Sequence, residues 1–178
     1  MNHTRLTLHS RQENLWRGVL FAVAAGGLIL DQASKIYVDS TFVLHESRAV
    51  IPGFFSLTYV HNPGAAWSIL AGQTWFLLAV AVVMLCAILL FFRYLTDGWK
   101  ERYLAIGLVI GGIFGNSIDR IWRGVVLDFF DFQFGSYHYP VFNIADCAIC
   151  IGIGIFLLSG FLRPEPEKKK EKSAEDPV

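Results

Sequence analysis

Nineteen consecutive residues without a charge, 74–92, set the environment in which this chain must fold. As a helix the run would be about 29 Å long, matching a hydrocarbon core of roughly 30 Å. A bilayer offers no water to backbone N–H and C=O groups, so a segment crossing it alone must be helical. Three further apolar segments accompany it. Residues 15–37 are interrupted by Arg17, Asp31 and Lys35, residues 103–118 are uncharged until Asp119, and residues 141–162 carry only Asp146. Apolar residues make up 54% of the 178 and charged residues 17%, a balance that fits a membrane protein with room for one domain. The expected fold is a membrane all-α protein, a four-transmembrane-helix bundle over residues 15–162. Residues 1–14 read as a cytoplasmic N-terminal extension. Residues 163–178 hold ten charges and read as a disordered cytoplasmic tail.

The first apolar segment is read as a retained helix. Arg5, Arg11 and Arg17 precede an uncharged run, and Ala22-Val-Ala24 superficially suits signal cleavage, but that site falls inside the run rather than after it. With four spans, both termini lie on one side, together with the connection between the second and third helices. That side carries eleven basic residues against four on the other, Lys35, Arg48, Arg120 and Arg123. The positive-inside rule puts both termini in the cytoplasm. Asp31, Asp119, Asp128 and Asp146, from four separate stretches, then all reach one layer near the outer interface. Trp67, Trp75 and Trp122 fall near outer helix ends and suit an interfacial belt.

The first outer segment, about 38–73, is too long for a turn. Residues 54–60 are rich in β-formers and lie between Pro52-Gly53 and Asn62-Pro63-Gly64, which are turn signals. They read as one or two strands of a small sheet over the outer leaflet, with a short interfacial helix at 65–70. In the third helix Gly107, Gly111 and Gly115 form a small-residue stripe that continues to Asp119, placing this acid on the packed face. Asn116 shares roughly that face. Asn143 and Asp146, three apart, point together at the start of the fourth helix. The Cys147-Ala-Ile-Cys150 pair has no second pair and no nearby His, so these cysteines read as small packing residues. No metal motif, phosphate loop or basic-aromatic surface for nucleic acid occurs.

A carboxylate inside an apolar segment costs a few kcal/mol and is a functional-site candidate by default. The candidates stand in Gly115-Asn-Ser-Ile-Asp119-Arg120, Val125-Val-Leu-Asp128-Phe129 and Phe142-Asn143-Ile-Ala-Asp146. Two carboxylates close together in a low dielectric share a proton, and their pKa values split. The ionised one can then take a proton from water while the other donates to a carbonyl oxygen, with Asn62, Asn116, Asn143 and Arg120 as a polar surround. Hydrolysis is the first reading. A binding or scaffold protein, and a transporter or proton relay using outer-face aspartates, stay open. Residue chemistry alone does not choose Asp128 over Asp119 or Asp131.

Together with Asp31-Gln-Ala-Ser-Lys35 and Asn62-Pro-Gly-Ala-Ala-Trp67, these strings resemble, in order and spacing, the motif set of bacterial lipoprotein signal peptidase, or signal peptidase II. The similarity runs from about residue 26 to 158. Trp67 stands where the family more often has Phe. The resemblance implies four transmembrane helices, an extracytoplasmic β-cradle and a short interfacial helix. It implies an intramembrane aspartic endopeptidase that removes the signal peptide from diacylglyceryl-modified prolipoproteins, cutting before the lipidated cysteine. The implied catalytic pair is Asp128 and Asp146; Asp31, Lys35, Asn62, Gly64, Asn116, Arg120 and Asn143 fall on supporting and substrate-contacting positions. Asp119 reads as structural, paired with Arg120 or Lys35. No metal or cofactor is expected. The expected partners are lipid-modified prolipoproteins and membrane lipids, with the enzyme a monomer in the bacterial inner membrane and its active site near the periplasmic face.

Overall fold

The computed structural model describes residues 2–162, with side chains from Gln12 onward; the segment expected to be a charged tail lies outside the described residues. The elements in chain order are α1 (Asn2–Thr41), β1 (Ser47–Ile51), β2 (Phe55–Asn62), a 3-10 turn (Ala66–Ser68), α2 (Thr74–Leu90), α3 (Phe92–Thr96), α4 (Lys100–Arg123), β3 (Val126–Phe134), β4 (Tyr137–His138) and α5 (Ile144–Leu162). Among the described residues three helices are long and apolar enough to cross a membrane, over Gln12–Thr41, Lys100–Arg123 and Ile144–Leu162. The uncharged run at 74–92 is split. Helix α2 stops after 17 residues, about 26 Å, the backbone turns at Phe91, and the Phe92 ring lies T-shaped against Tyr103 on α4 with centroids 5.8 Å apart.

Helix α4 lies between α1 and α5, and its glycines explain how both come so close. A Cβ at Gly111 would stand 2.7 Å from the Ala24 carbonyl oxygen of α1, and one at Gly112 would stand 2.5 Å from the Ala145 carbonyl oxygen of α5. Backbone-to-backbone contact of this kind is how helices associate where lipid removes the hydrophobic drive. Helix α2 packs more loosely, touching α4 and burying only Ile88 among its own residues. An apolar helix left uncovered by protein on most sides suits lipid contact. Of the cysteines, Cys147 is partly buried whereas Cys86 and Cys150 are exposed, so a packing role fits only Cys147.

The sheet is antiparallel in the order β1-β2-β3-β4. Residues 126–134, which show no strand pattern in the sequence, form its longest strand. The strand escapes detection because its first four residues are all buried, which erases the alternation that marks a half-buried strand. Its inner side packs with α1 in a core of Val38, Phe42, Tyr59, Leu127 and Phe129. Leu57 faces Phe130 and Val60 faces Asp128, so β2 contains a bulge that takes three steps against two in β3. The expected helix at 65–70 is a single 3-10 turn. Positive φ at Trp67, Ser68 and Leu70 stops a helix from propagating. The loop instead closes on itself through Ala65 N–H donating to the Ile69 oxygen at 2.8 Å and Gly72 N–H to the Pro63 oxygen at 3.0 Å.

Gly112→Ala is expected to force α4 from α5 and destabilise the fold by about 1–3 kcal/mol, as overpacking does. Gly154→Ala, where an added Cβ meets nothing within 4 Å, is the matched control and should melt like wild type in detergent.

Candidate active site

Strand β3 delivers Asp128 and the first turn of α5 delivers Asp146, where the sheet meets the helices. Asn143 starts α5 and makes a reciprocal cap. Its Oδ1 accepts the Asp146 N–H at 3.0 Å, while Asp146 Oδ2 accepts the Asn143 N–H at 3.2 Å. This is the capping-box arrangement, with an aspartate at the third helical position. The cap fixes the Asp146 rotamer and leaves Oδ1 to accept Nδ2–H of Asn116 at 2.8 Å. The Asn143 amide also donates to Asp128 Oδ1 at 2.6 Å, so one asparagine ties both carboxyl groups.

The second oxygen of Asp128 accepts Asn62 Nδ2–H at 2.9 Å. Strict alternation from Leu57 would turn Asn62 to the far face of the sheet. The bulge brings it to the face of Asp128, opposite Val126, the re-aiming role that bulges serve beside active sites. Asn62 Oδ1 accepts the Gly64 N–H at 3.0 Å, and Arg120 donates to the Gly64 oxygen at 2.8 Å and to the Asn116 oxygen at 3.3 Å. Gly64 admits no side chain, because its Cβ would lie 2.5 Å from the Ile69 oxygen.

Beneath this layer Lys35 is fully buried. Its ammonium meets Asp31 at 2.9 Å and Asp119 at 2.8 Å, both also fully buried, and donates to Asn116 Oδ1 at 3.2 Å. Asp31 Oδ1 accepts the Ala145 N–H at 2.9 Å, one of the donors that a helix start leaves unpaired. A side chain at Gly115 would stand 2.5 Å from Asp31 Oδ2, so the glycine stripe makes room for this acid. Among the described residues every buried side-chain polar atom has a partner.

The residues singled out from sequence converge here, and the structure decides between the two partners expected for Asp119. Asp119 pairs with Lys35 and with Arg123 at 2.9 Å, not with Arg120. Asp131 lies off the site, accepting Thr58 Oγ–H at 2.7 Å. Sequence reasoning missed Gln32, which donates to Asp31 at 3.0 Å, and the contacts of Asp39, Tyr59 and Arg123. The signal was present. Asp31, Lys35 and Asp39 on α1, and Asp119 and Arg123 on α4, recur at four-residue spacing and alternate in sign.

Burial raises the Asp128 carboxyl to about 7, aided by the neighbouring Asp146 and opposed by the amides of Asn62 and Asn143 and by Lys35. Asp128 is 2% exposed, whereas Asp146 is partly open. Two largely buried acids held by one amide can share a proton between them, one as base and one as acid. Lys35→Met would strand Asp31 without its cation and leave Asp119 only Arg123, and a loss of about 3–5 kcal/mol is expected from a thermal melt in detergent.

A family model described as signal peptidase (SPase) II matches residues 23–162. The lipoprotein signal peptidase of Geobacter metallireducens is 41% identical over 84% of this chain and 93% of its own length. That of Syntrophus aciditrophicus is 44% identical over 87% of this chain and 97% of its own. Two solved bacterial membrane enzymes, obtained by the in meso method at 2.3 and 1.9 Å, each align with a TM-score of 0.74. They are 32% and 34% identical, covering 90% and 83% of this chain and 94% and 95% of theirs. Fold, apolar helices and likenesses together define a membrane protease. The chain belongs to the signal peptidase II family.

Proposed function

We propose that this signal peptidase II is an aspartic endopeptidase with Asp128 and Asp146 as its catalytic pair, acting on diacylglyceryl prolipoproteins just before the lipidated cysteine. The observation that carries this reading is the Asn143 side chain bonded to Asp128 while its own backbone and that of Asp146 lock the second acid. A water between the carboxyl groups loses a proton to the ionised one and attacks the scissile carbonyl carbon. The protonated acid donates to the carbonyl oxygen, giving a tetrahedral diol. Collapse of the diol breaks the C–N bond as a carboxyl proton passes to the leaving amine. This chemistry needs no metal and no covalent enzyme intermediate.

Asn62, Asn116, Asn143 and Arg120 hold the acids and the loop beside them, and Asp31, Lys35 and Asp119 support the layer below. Gly64 keeps the loop close to the site. The helix α2 acts as a fourth span, both termini are cytoplasmic, and the site works near the periplasmic face of the inner membrane. The enzyme acts as a monomer. The apolar signal segment and acyl chains reach the acids through lipid, along α2, α4 and α5. Each buried methylene of the acyl chains adds about 0.8 kcal/mol, which makes the lipid a large handle. A transporter or proton relay is disfavoured, because α2 carries no charge and the candidate acids gather at one end of the bundle.

Cleavage of a diacylglyceryl prolipoprotein in nanodiscs tests the reading, with the unlipidated precursor as the comparison substrate. Asp128→Asn and Asp146→Asn should abolish cutting, Asp131→Asn should retain it, and the unlipidated chain should be cut poorly. Near wild-type cleavage by both dyad variants would remove the centre of the proposal. The same assay followed against pH should lose rate as pH rises through about 7, where Asp128 gives up its proton. Asn62 donates to the Asp128 carboxylate and so favours ionisation. Asn62→Ala should therefore move the basic limb to higher pH; a limb that stays fixed or moves down would contradict this assignment.

A further inference from the structure

The motifs of the family end at Arg120 on α4, yet the bonded network that reaches the acids does not. Asp119 is its hub. One oxygen accepts Lys35 Nζ–H at 2.8 Å and the Leu127 N–H at 3.3 Å, and the other accepts Arg123 Nη1–H at 2.9 Å. Leu127 directly precedes Asp128. Lys35 bonds Asn116, which in turn holds Asp146. The Asp119 carboxylate thus touches both arms of the dyad, one through strand backbone and one through the lysine.

The orientation of Asp119 depends on groups nearer the surface. Arg123 uses its second nitrogen to bond Asp39 at 3.0 Å, and Asp39 accepts the hydroxyl of Tyr59 from β2. Tyr59 is buried, and burial together with Asp39 pushes its hydroxyl up to about 12, so it remains a donor. Its oxygen also meets His61 Nε2 at 2.9 Å. Charge points the same way. Asp31, Lys35 and Asp119 sum to one net negative charge in a fully buried cluster, and Arg123 supplies the cation that balances it.

We infer that Arg123, held in place by Asp39 and Tyr59, is a positioning residue for the Asp128/Asp146 pair, fixing the hub carboxylate and neutralising the cluster beneath the acids. Arg123 touches neither acid and acts through Asp119. The inference rests on the dyad reading. The charged and titratable groups facing the pair are Asp31 and Lys35 from α1, Asp119 and Arg120 from α4, and Cys147 from α5, with Arg123, Asp39, Tyr59 and His61 beyond Asp119. Loss of the Arg123 charge leaves the cluster negative, and a nearby negative charge disfavours ionising a carboxyl group. The basic limb of the rate profile must then move to higher pH.

Full-length protein in nanodiscs, cutting a diacylglyceryl prolipoprotein, provides the test. Arg123→Gln should lower kcat by up to about 100-fold, as a small misplacement of reacting groups does, with KM little changed. Its basic limb should shift upward, and Arg123→Lys should recover much of the rate and restore the limb. Should Arg123→Gln fail to fold, Tyr59→Phe removes only the outer hydroxyl, and its lower kcat carries the same test. A wild-type kcat and pH profile in the folded variants overturns the inference, as does a fall in kcat with an unmoved limb and no recovery by lysine. Asp128→Asn is run beside them. If it cuts normally the dyad reading fails, and if it is inactive while Arg123→Gln is unaffected, only the positioning role fails.

Discussion

The ammonium of Lys35, enclosed between Asp31 and Asp119 with no exposed surface, holds the sheet end of the molecule together. Removing three charges from water is costly, and attraction in a low dielectric offsets that cost only where geometry is good and remaining polar atoms are bonded. Here every neighbour is used. Asp31 binds the start of α5, Asp119 binds the approach to β3, and Lys35 itself binds Asn116. Helices α1, α4 and α5 and strand β3 therefore meet at one charged point, and the catalytic candidates stand directly above it.

Small residues make that point reachable. The glycine row of α4 brings backbone against backbone on two sides, so the short side chains of Asn116 and Asp119 can span the gap to α1 and α5. Above the charges, asparagine predominates. Its amide is uncharged and offers both donors and an acceptor, so Asn143 and Asn116 can hold carboxyl groups without pairing them as salt bridges. An arginine in either place would favour ionising both acids and work against their sharing a proton.

Much of this was legible in the residues. Long apolar runs announced the helices, the four-residue glycine spacing announced the packed face of α4, and the three-residue spacing of Asn143 and Asp146 announced a shared face. Other features were hidden for physical reasons. Strand β3 is buried on both sides at its start, so periodicity could not reveal it. The choice between Asp128 and Asp131 depends on strand register and a bulge in a different strand, which no local pattern encodes. The Arg123–Asp39 pair joins residues distant in sequence. Its alternating charges were visible on each helix separately, but their meeting required the packing of α1 on α4.

The cap at the start of α5 has a consequence for biogenesis. The bonds between Asn143 and Asp146 that begin the helix also aim the acid, and the same asparagine reaches Asp128. One residue thus serves both the start of the helix and its junction with β3. A nascent chain whose last helix has not yet docked holds these two carboxyl groups apart, so the proposed pair comes together only with the finished fold.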